Sequence, residues 1–270
     1  MNKDVVIVIP LSTRPGFTDS ERISLLHLEH YLGNYDKFFI APNDLKVEYD
    51  QIPIERFDDK YFGSLNAHTR LSLSMEFYER FSNYKFVLMY HTDCLVFNNN
   101  LTQWCELGYD FIGPPWIKGP DLPWLEENGV GNTGFSLRKI DSFLKLLNSR
   151  VRYQTLSEKI RKLSGKNIRS GFKNIAGYFI PGQNNIQKHI KIHIQNDGHD
   201  DRFIQKYAKK YNQEFKISPL HIALKFGFEA NVKRCYELNE NELPFGCHAW
   251  EKYDKDFWEP YLLEYRESDG

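Results

Sequence analysis

Four short stretches concentrate side chains that can do chemistry: His91-Thr92-Asp93, Gly129-Val-Gly-Asn-Thr-Gly134, His199-Asp200-Asp201, and His248. Asp93 closes an apolar run, where an unpartnered carboxylate is costly. His91, two residues earlier, offers a nitrogen ligand of the kind that binds first-row divalent metals. One carboxylate alone is thin for a hard cation, which takes several oxygens. In the Asp200-Asp201 pair, like charges on adjacent residues raise one pKa toward neutrality, as a general base requires. An ordinary helix N-terminal pair is the plain alternative. The glycine-rich stretch follows no first strand, so it is not a dinucleotide fingerprint. A metal-dependent hydrolase built on His91, Asp93, His199 and His248 is one reading of these residues, but nothing here matches HExxH or another compact spacing.

The surrounding sequence must place these groups. Val5-Val-Ile-Val-Ile9 reads as a strand buried on both faces, closed by Pro10. A helix opening at Asp19-Ser20-Glu21 and stopping at Gly33 follows. Further strands are expected at Lys37–Ala41, Ile52–Phe57 (short and near an edge) and Tyr84–Tyr90, with one long amphipathic helix at Leu65–Phe81. Strand, helix, strand, strand, helix, strand is the rhythm of an α/β sheet. Ligands bind beyond the carboxyl ends of such strands. This singles out Ser12-Thr13-Arg14, Pro42-Asn43, residues 58–64 and His91–Asp93. In the second half, Tyr109–Gly113 and Phe135–Arg138 read as strands. Ile140–Leu147 and Arg202–Tyr211 read as helices.

Composition narrows the classes. The 270 residues are 41% hydrophobic, 26% charged and 15% aromatic, with a net charge of −1. This excludes wholesale disorder and argues against a nucleic-acid binder. No apolar stretch approaches the ~20 residues of a membrane span, and the start lacks the longer apolar core of a secretory leader. Four cysteines without CxxC spacing suggest reduced thiols and a cytoplasmic setting. The charge is uneven. Arg150 to Ile194 holds ten basic residues and one acid, a net +9 that leaves −10 for the rest. Such a patch implies an anionic neighbour. Lys159, Lys162 and Lys166 recur at helical spacing opposite Leu156, Ile160 and Leu163, a pattern that allows an interfacial amphipathic helix and peripheral attachment to the inner membrane face. A solvated charged insertion is the alternative.

Taken in order, Tyr90-His-Thr-Asp-Cys-Leu-Val-Phe97, Tyr109–Trp116 with Gly129–Arg138, His199-Asp-Asp-Arg-Phe203, and Phe228-Glu229 with Pro244–Trp250 carry a resemblance. The chain resembles a GT-A-fold glycosyltransferase, close to an uncharacterised glycosyltransferase-like family of bacteria and eukaryotes. The resemblance implies a Rossmann-type mixed sheet flanked by helices, one domain with a nucleotide-binding half (1–100), an acceptor half (101–270) and a basic insertion (150–194). It implies sugar transfer from a nucleotide-sugar to a saccharide or polyprenyl-linked acceptor, with inversion, in surface polysaccharide or glycoconjugate synthesis. A nucleotide-sugar or glycan-binding module with a degenerate site is the alternative, because His91 stands where the fold has the first Asp of Asp-x-Asp. The site residues implied are Asp201 as base and Asp200 as acceptor contact. Asp93 faces the donor, and strand-end position adds Thr13, Arg14, Asn43 and Tyr61 around the nucleoside, with Tyr61 or Phe62 stacking on the base and Arg70 reaching the phosphates. Trp116, Asn132, Thr133 and Gly134 face the acceptor. Asp93 and His248 flank the diphosphate as ligands of a divalent metal, Mn²⁺ or Mg²⁺, whose requirement stays open.

Overall fold

The computed structural model describes residues 2–14, 16–47, 49–155, 158, 182 and 184–263. Lys159, Arg161, Lys162, Lys166, Arg169, Lys173 and the amphipathic pattern around them lie outside the described residues.

Val5 to Ile9 have no exposed surface. The run forms β1 (Asn2–Pro10), at the centre of a six-stranded sheet with β2 (Tyr35–Pro42), β3 (Ile54–Phe57) and β4 (Phe86–Tyr90). These four strands are parallel, with Val8 opposite Phe38 on one side and Met89 on the other. Alternate residues of a strand point to opposite faces. Val6 and Val8 pack with Val87 and Met89 under the helices of one face. Val5, Ile7 and Ile9 pack with Leu88 and Tyr90 under those of the other. Burial on both faces is why these strands read as continuous apolar runs rather than alternating ones. Each such side chain contributes roughly 1.5–3 kcal/mol over leaving it in water.

After β4 come β5 (Leu95–Val96), β6 (Phe111–Ile112), β7 (Pro115–Trp116), β8 (Gly129–Val130) and β9 (Phe135–Lys139). β10 (Gly227–Phe228) and β11 (Gly246–Cys247) complete the described strands. The main sheet has the order β3-β2-β1-β4-β9-β6, with β9 antiparallel to both its neighbours. One mixed sheet thus runs across the residue-100 boundary. A second sheet, β10-β11-β5, joins three short strands from distant parts of the chain.

Five helices fall in the first 150 residues: α1 (Asp19–Leu32), α2 (Leu65–Ser72), α3 (Met75–Arg80), α4 (Leu101–Glu106) and α5 (Ile140–Leu147). Thr18 and Glu21 form a reciprocal capping box at the start of α1. The single helix expected over Leu65–Phe81 is instead two. The Ser74 hydroxyl accepts from the Phe77 amide at 3.2 Å and starts a new helix there. The helix Asp200–Tyr211 lies against α2 and α5 beneath the first face. All four cysteines are buried free thiols. Among the described residues no helix is long and apolar enough to cross a membrane.

Candidate functional site

Parallel β1, β2, β3 and β4 end at one edge of the sheet, so the residues that follow them share it. Thr13 there lies beside Gly63, which has φ +83°. Arg14 pairs with Glu21 at 2.6 Å, and the Thr92 hydroxyl donates to the same carboxylate at 2.9 Å, tying the end of β1 to the end of β4. The Asn43 amide donates to Asp59 at 3.1 Å.

The small sheet brings the remaining groups to this edge. β10 and β11 are parallel with Phe228 opposite Cys247, so the next residues, Glu229 and His248, emerge together. β11 runs antiparallel to β5 with Cys247 opposite Leu95, which sets the residues after β11 against those before β5. The Trp250 amide bonds the Asp93 carbonyl at 3.2 Å in continuation of that ladder. The result is a cluster in which one ligand atom each of His91, Asp93 and His248 lies within 4.8 Å of the others. His248 Nε2 is 3.3 Å from Asp93 Oδ1, and its Nδ1 is 3.0 Å from Glu229 Oε1. Gly134 makes room for this ring, since a Cβ there would stand 2.2 Å from His248 Nε2. The Gly134 carbonyl accepts from the His91 amide at 2.9 Å.

The electrostatics follow. Burial opposes a charge on His248, but Asp93 and Glu229 outweigh it and raise its pKa to about 10. His91 has no such support. Burial, with His68 and His248 nearby, lowers its pKa to about 3 and keeps the ring neutral. Burial works against ionised Asp93, but His248 and His91 hold its carboxyl below the usual range. His68, from α2, meets the His91 ring edge to face at 4.9 Å between centroids. The enclosed His91 Nε2 has no hydrogen-bond partner, and Asp93 Oδ1 has only the His248 ring nitrogen at 3.3 Å. An unpartnered imidazole nitrogen beside a carboxylate and a second imidazole fits a divalent cation. A set of two imidazoles and one carboxylate favours Mn²⁺ over the oxygen-seeking Mg²⁺.

The adjacent acids at the start of the helix Asp200–Tyr211 differ sharply. Asp200 is 2% exposed. It accepts from the Ser72 hydroxyl and, at 3.0 Å, from Thr133, and it is 3.4 Å from the guanidinium of fully buried Arg138. Arg138 is braced in turn by Ser136 and Tyr78. Asp200 is therefore a buried structural anion and no acceptor contact. Asp201 is partly exposed and lacks a cationic clamp of this kind. Burial, then the charge of Asp200, with Glu229 adding less, raises its pKa to about 7.

Other expected contacts are also redirected. Tyr61 is largely buried in the core, with its hydroxyl donated to Glu76 at 2.9 Å. Arg70 is two residues, some 200° of helix, from His68. It donates to the Lys60 carbonyl at 2.9 Å, in a cavity shared with Lys191 rather than beside His91. Asn132 spends its side chain on the Gly134 and Phe135 amides and on Glu229, at 2.7 Å. Thr133 is committed to Asp200, and Trp116 covers Gly131. These three brace the loop that carries Gly134. His199 is not part of the His91–Asp93–His248 group. Glu229, His68, Ser72 and Arg138 had no assigned role. Arg138 was the readable signal: a cation inside a buried strand demands a buried anion.

The model of the DUF5672 family, described as a protein of unknown function, matches residues 51–248, and the chain belongs to that family. No curated protein matches it. Among solved structures, galactosyltransferase LgtC in complex with donor and acceptor sugar analogs aligns over 97% of this chain and 98% of its own, with 11% identity and a TM-score of 0.52. A glycosyltransferase involved in the glycosylation of the major capsid of PBCV-1 aligns over 90% and 92%, with 13% identity and a TM-score of 0.43. The bifunctional IspDF from Campylobacter jejuni aligns over 65% of this chain and 47% of its own, with 12% identity and a TM-score of 0.33. The fold is the GT-A type, a mixed sheet flanked by helices in a single domain.

Proposed function

We propose that this member of the DUF5672 family transfers a sugar from a nucleotide-sugar donor to a hydroxyl of a saccharide or lipid-linked acceptor, with inversion at the sugar carbon. The observation that carries the reading is the pairing, at one sheet edge, of a cation-ready cluster with a carboxyl tuned to about 7. His91, Asp93 and His248 would hold a divalent cation, which supplies charge neutralisation for a leaving diphosphate. Glu229 fixes the His248 ring through Nδ1, the arrangement in which an outer carboxylate orients a metal-binding histidine. Thr13, Arg14 and Asn43 border the donor end of the same edge. Asp201 takes the proton of the acceptor hydroxyl. The acceptor oxygen bonds to the sugar carbon while the bond from that carbon to the diphosphate oxygen breaks, and the diphosphate leaves with the electron pair. Asp200, held ionised by Arg138, keeps Asp201 basic enough for the step. A purely binding module has no use for a carboxyl so tuned, which weighs against that alternative. The net +9 of residues 150–194 supports contact with an anionic acceptor or membrane surface.

The test is a binding screen with UDP, GDP, dTDP and CMP sugars, with and without Mn²⁺, read as thermal shift. A donor that binds only the folded chain raises its melting temperature by mass action. The reading expects one nucleotide to stand out, more strongly with Mn²⁺. No shift with any nucleotide-sugar overturns it.

A further inference from the structure

The helix that carries Asp201 also borders a cavity whose charged and aromatic lining has no role so far. It has a volume of 330 Å³ and is bordered by Trp116, Trp124, Glu127, Arg202, Gln205 and Lys206, among others. Trp124 is 55% exposed, a large apolar surface left in water. The Arg202 guanidinium lies over its ring, 4.9 Å from the centroid. Neither Arg202 nor Lys206 makes a salt bridge among the described residues. Glu127 is the acid at the rim, so the two cations exceed it by one charge. Arg202, Gln205 and Lys206 share one face of the helix Asp200–Tyr211, and Gln205 lies one turn beyond Asp201. Gly129 lets the Gln205 amide approach the loop backbone, because a Cβ there would stand 2.5 Å from Gln205 Nε2.

We infer that this cavity binds an anionic saccharide. Trp124 supplies a flat apolar face for the C–H side of a pyranose ring. Arg202 supplies planar paired donors that match a carboxylate or phosphate, and Lys206 adds a second positive charge. Gln205 offers an amide to ring hydroxyls. Two of the cavity's lining residues, Arg202 and Gln205, stand one position and one helical turn from Asp201, so the bound sugar is the acceptor or the unit joined to it. That last identification rests on the transferase reading; the binding itself does not.

The experiment titrates the full chain, without donor, with a hexuronic-acid trisaccharide, a hexose phosphate and a neutral hexose trisaccharide. Binding is followed through the indole N–H resonances. The trisaccharide and phosphate arms separate a carboxylate from a phosphate as the recognised group. One anionic probe is expected to move the Trp124 resonance and to bind about 10-fold more tightly than the neutral sugar, the worth of one 1.4 kcal/mol contact. Trp124→Ala should weaken that probe by about 10-fold, with Trp124→Phe retaining most of the affinity. Arg202→Gln should abolish the preference over the neutral probe. Equal binding of charged and neutral probes, an unchanged Trp124→Ala, or no binding of any probe at millimolar concentration would overturn the inference. The same variants are assayed for nucleotide-sugar binding with Mn²⁺, which should not change. A chain that binds the anionic probe through Trp124 but no nucleotide-sugar keeps this site and loses the transferase reading. The opposite result keeps the transferase and loses the site.

Discussion

Binding of Mn²⁺ should release one proton per site at pH 7, and that proton should come from His248. The prediction follows from the charge state of each ligand before the cation arrives. Asp93 is already ionised, and His91, with its pKa near 3, is already neutral. His248 is the exception, because Asp93 and Glu229 raise its pKa to about 10. Its Nε2 must lose the proton to serve as a ligand. At pH 7 that loss spans about three pH units, or about 4 kcal/mol at 1.36 kcal/mol per unit. Apparent affinity should therefore rise about 10-fold per pH unit, or about 100-fold from pH 6.5 to 8.5. Calorimetric titration at pH 7, in buffers of different ionisation enthalpy, measures the number directly. His248→Asn should bring proton release near zero and weaken binding. Affinity independent of pH, or release of no proton by the unaltered chain, would refute the charge assignment. Release of two would mean that His91 is also charged.

Asp201→Asn should lower the transfer rate by on the order of 10²–10⁴ and remove an inflection near pH 7, below which the unaltered enzyme slows as the base gains its proton. Because its folded pKa is raised, unaltered Asp201 costs stability above its unfolded value of 3.8, with the full cost reached above pH 7. The same variant should therefore melt higher at pH 8.5, by on the order of 3 °C. Arg138→Leu leaves Asp200 buried without its cation and should cost about 3–5 kcal/mol in urea unfolding, more than any single substitution of an exposed arginine. Gly134→Ala places a methyl against His248 Nε2 and should abolish the Mn²⁺ response while the circular dichroism spectrum stays unchanged.

Much of the frame was legible because its physics is local. A five-residue apolar run at Val5–Ile9 has few fates other than a doubly covered strand. The helix begun at Asp19 was likewise marked by its polar opening, and the structure adds the Thr18–Glu21 reciprocity. Local reading failed where a single hydroxyl outweighed a periodic pattern, as at Ser74. The site was half legible for a different reason. His91, Asp93 and His248 are separated by up to 157 positions, yet they meet because β5, β10 and β11 are two-residue strands whose pairing no periodicity announces. The two adjacent aspartates show the same limit from the other side. The sequence presents them as equals, and nothing local says which one is buried. That asymmetry comes from Arg138, 62 positions earlier, which claims Asp200 and leaves Asp201 with a neighbour's negative charge and no buried partner of its own. Burial raises the Asp201 carboxyl first, and the charge that adds to it is an Asp200 kept ionised by an arginine of β9 that never touches Asp201.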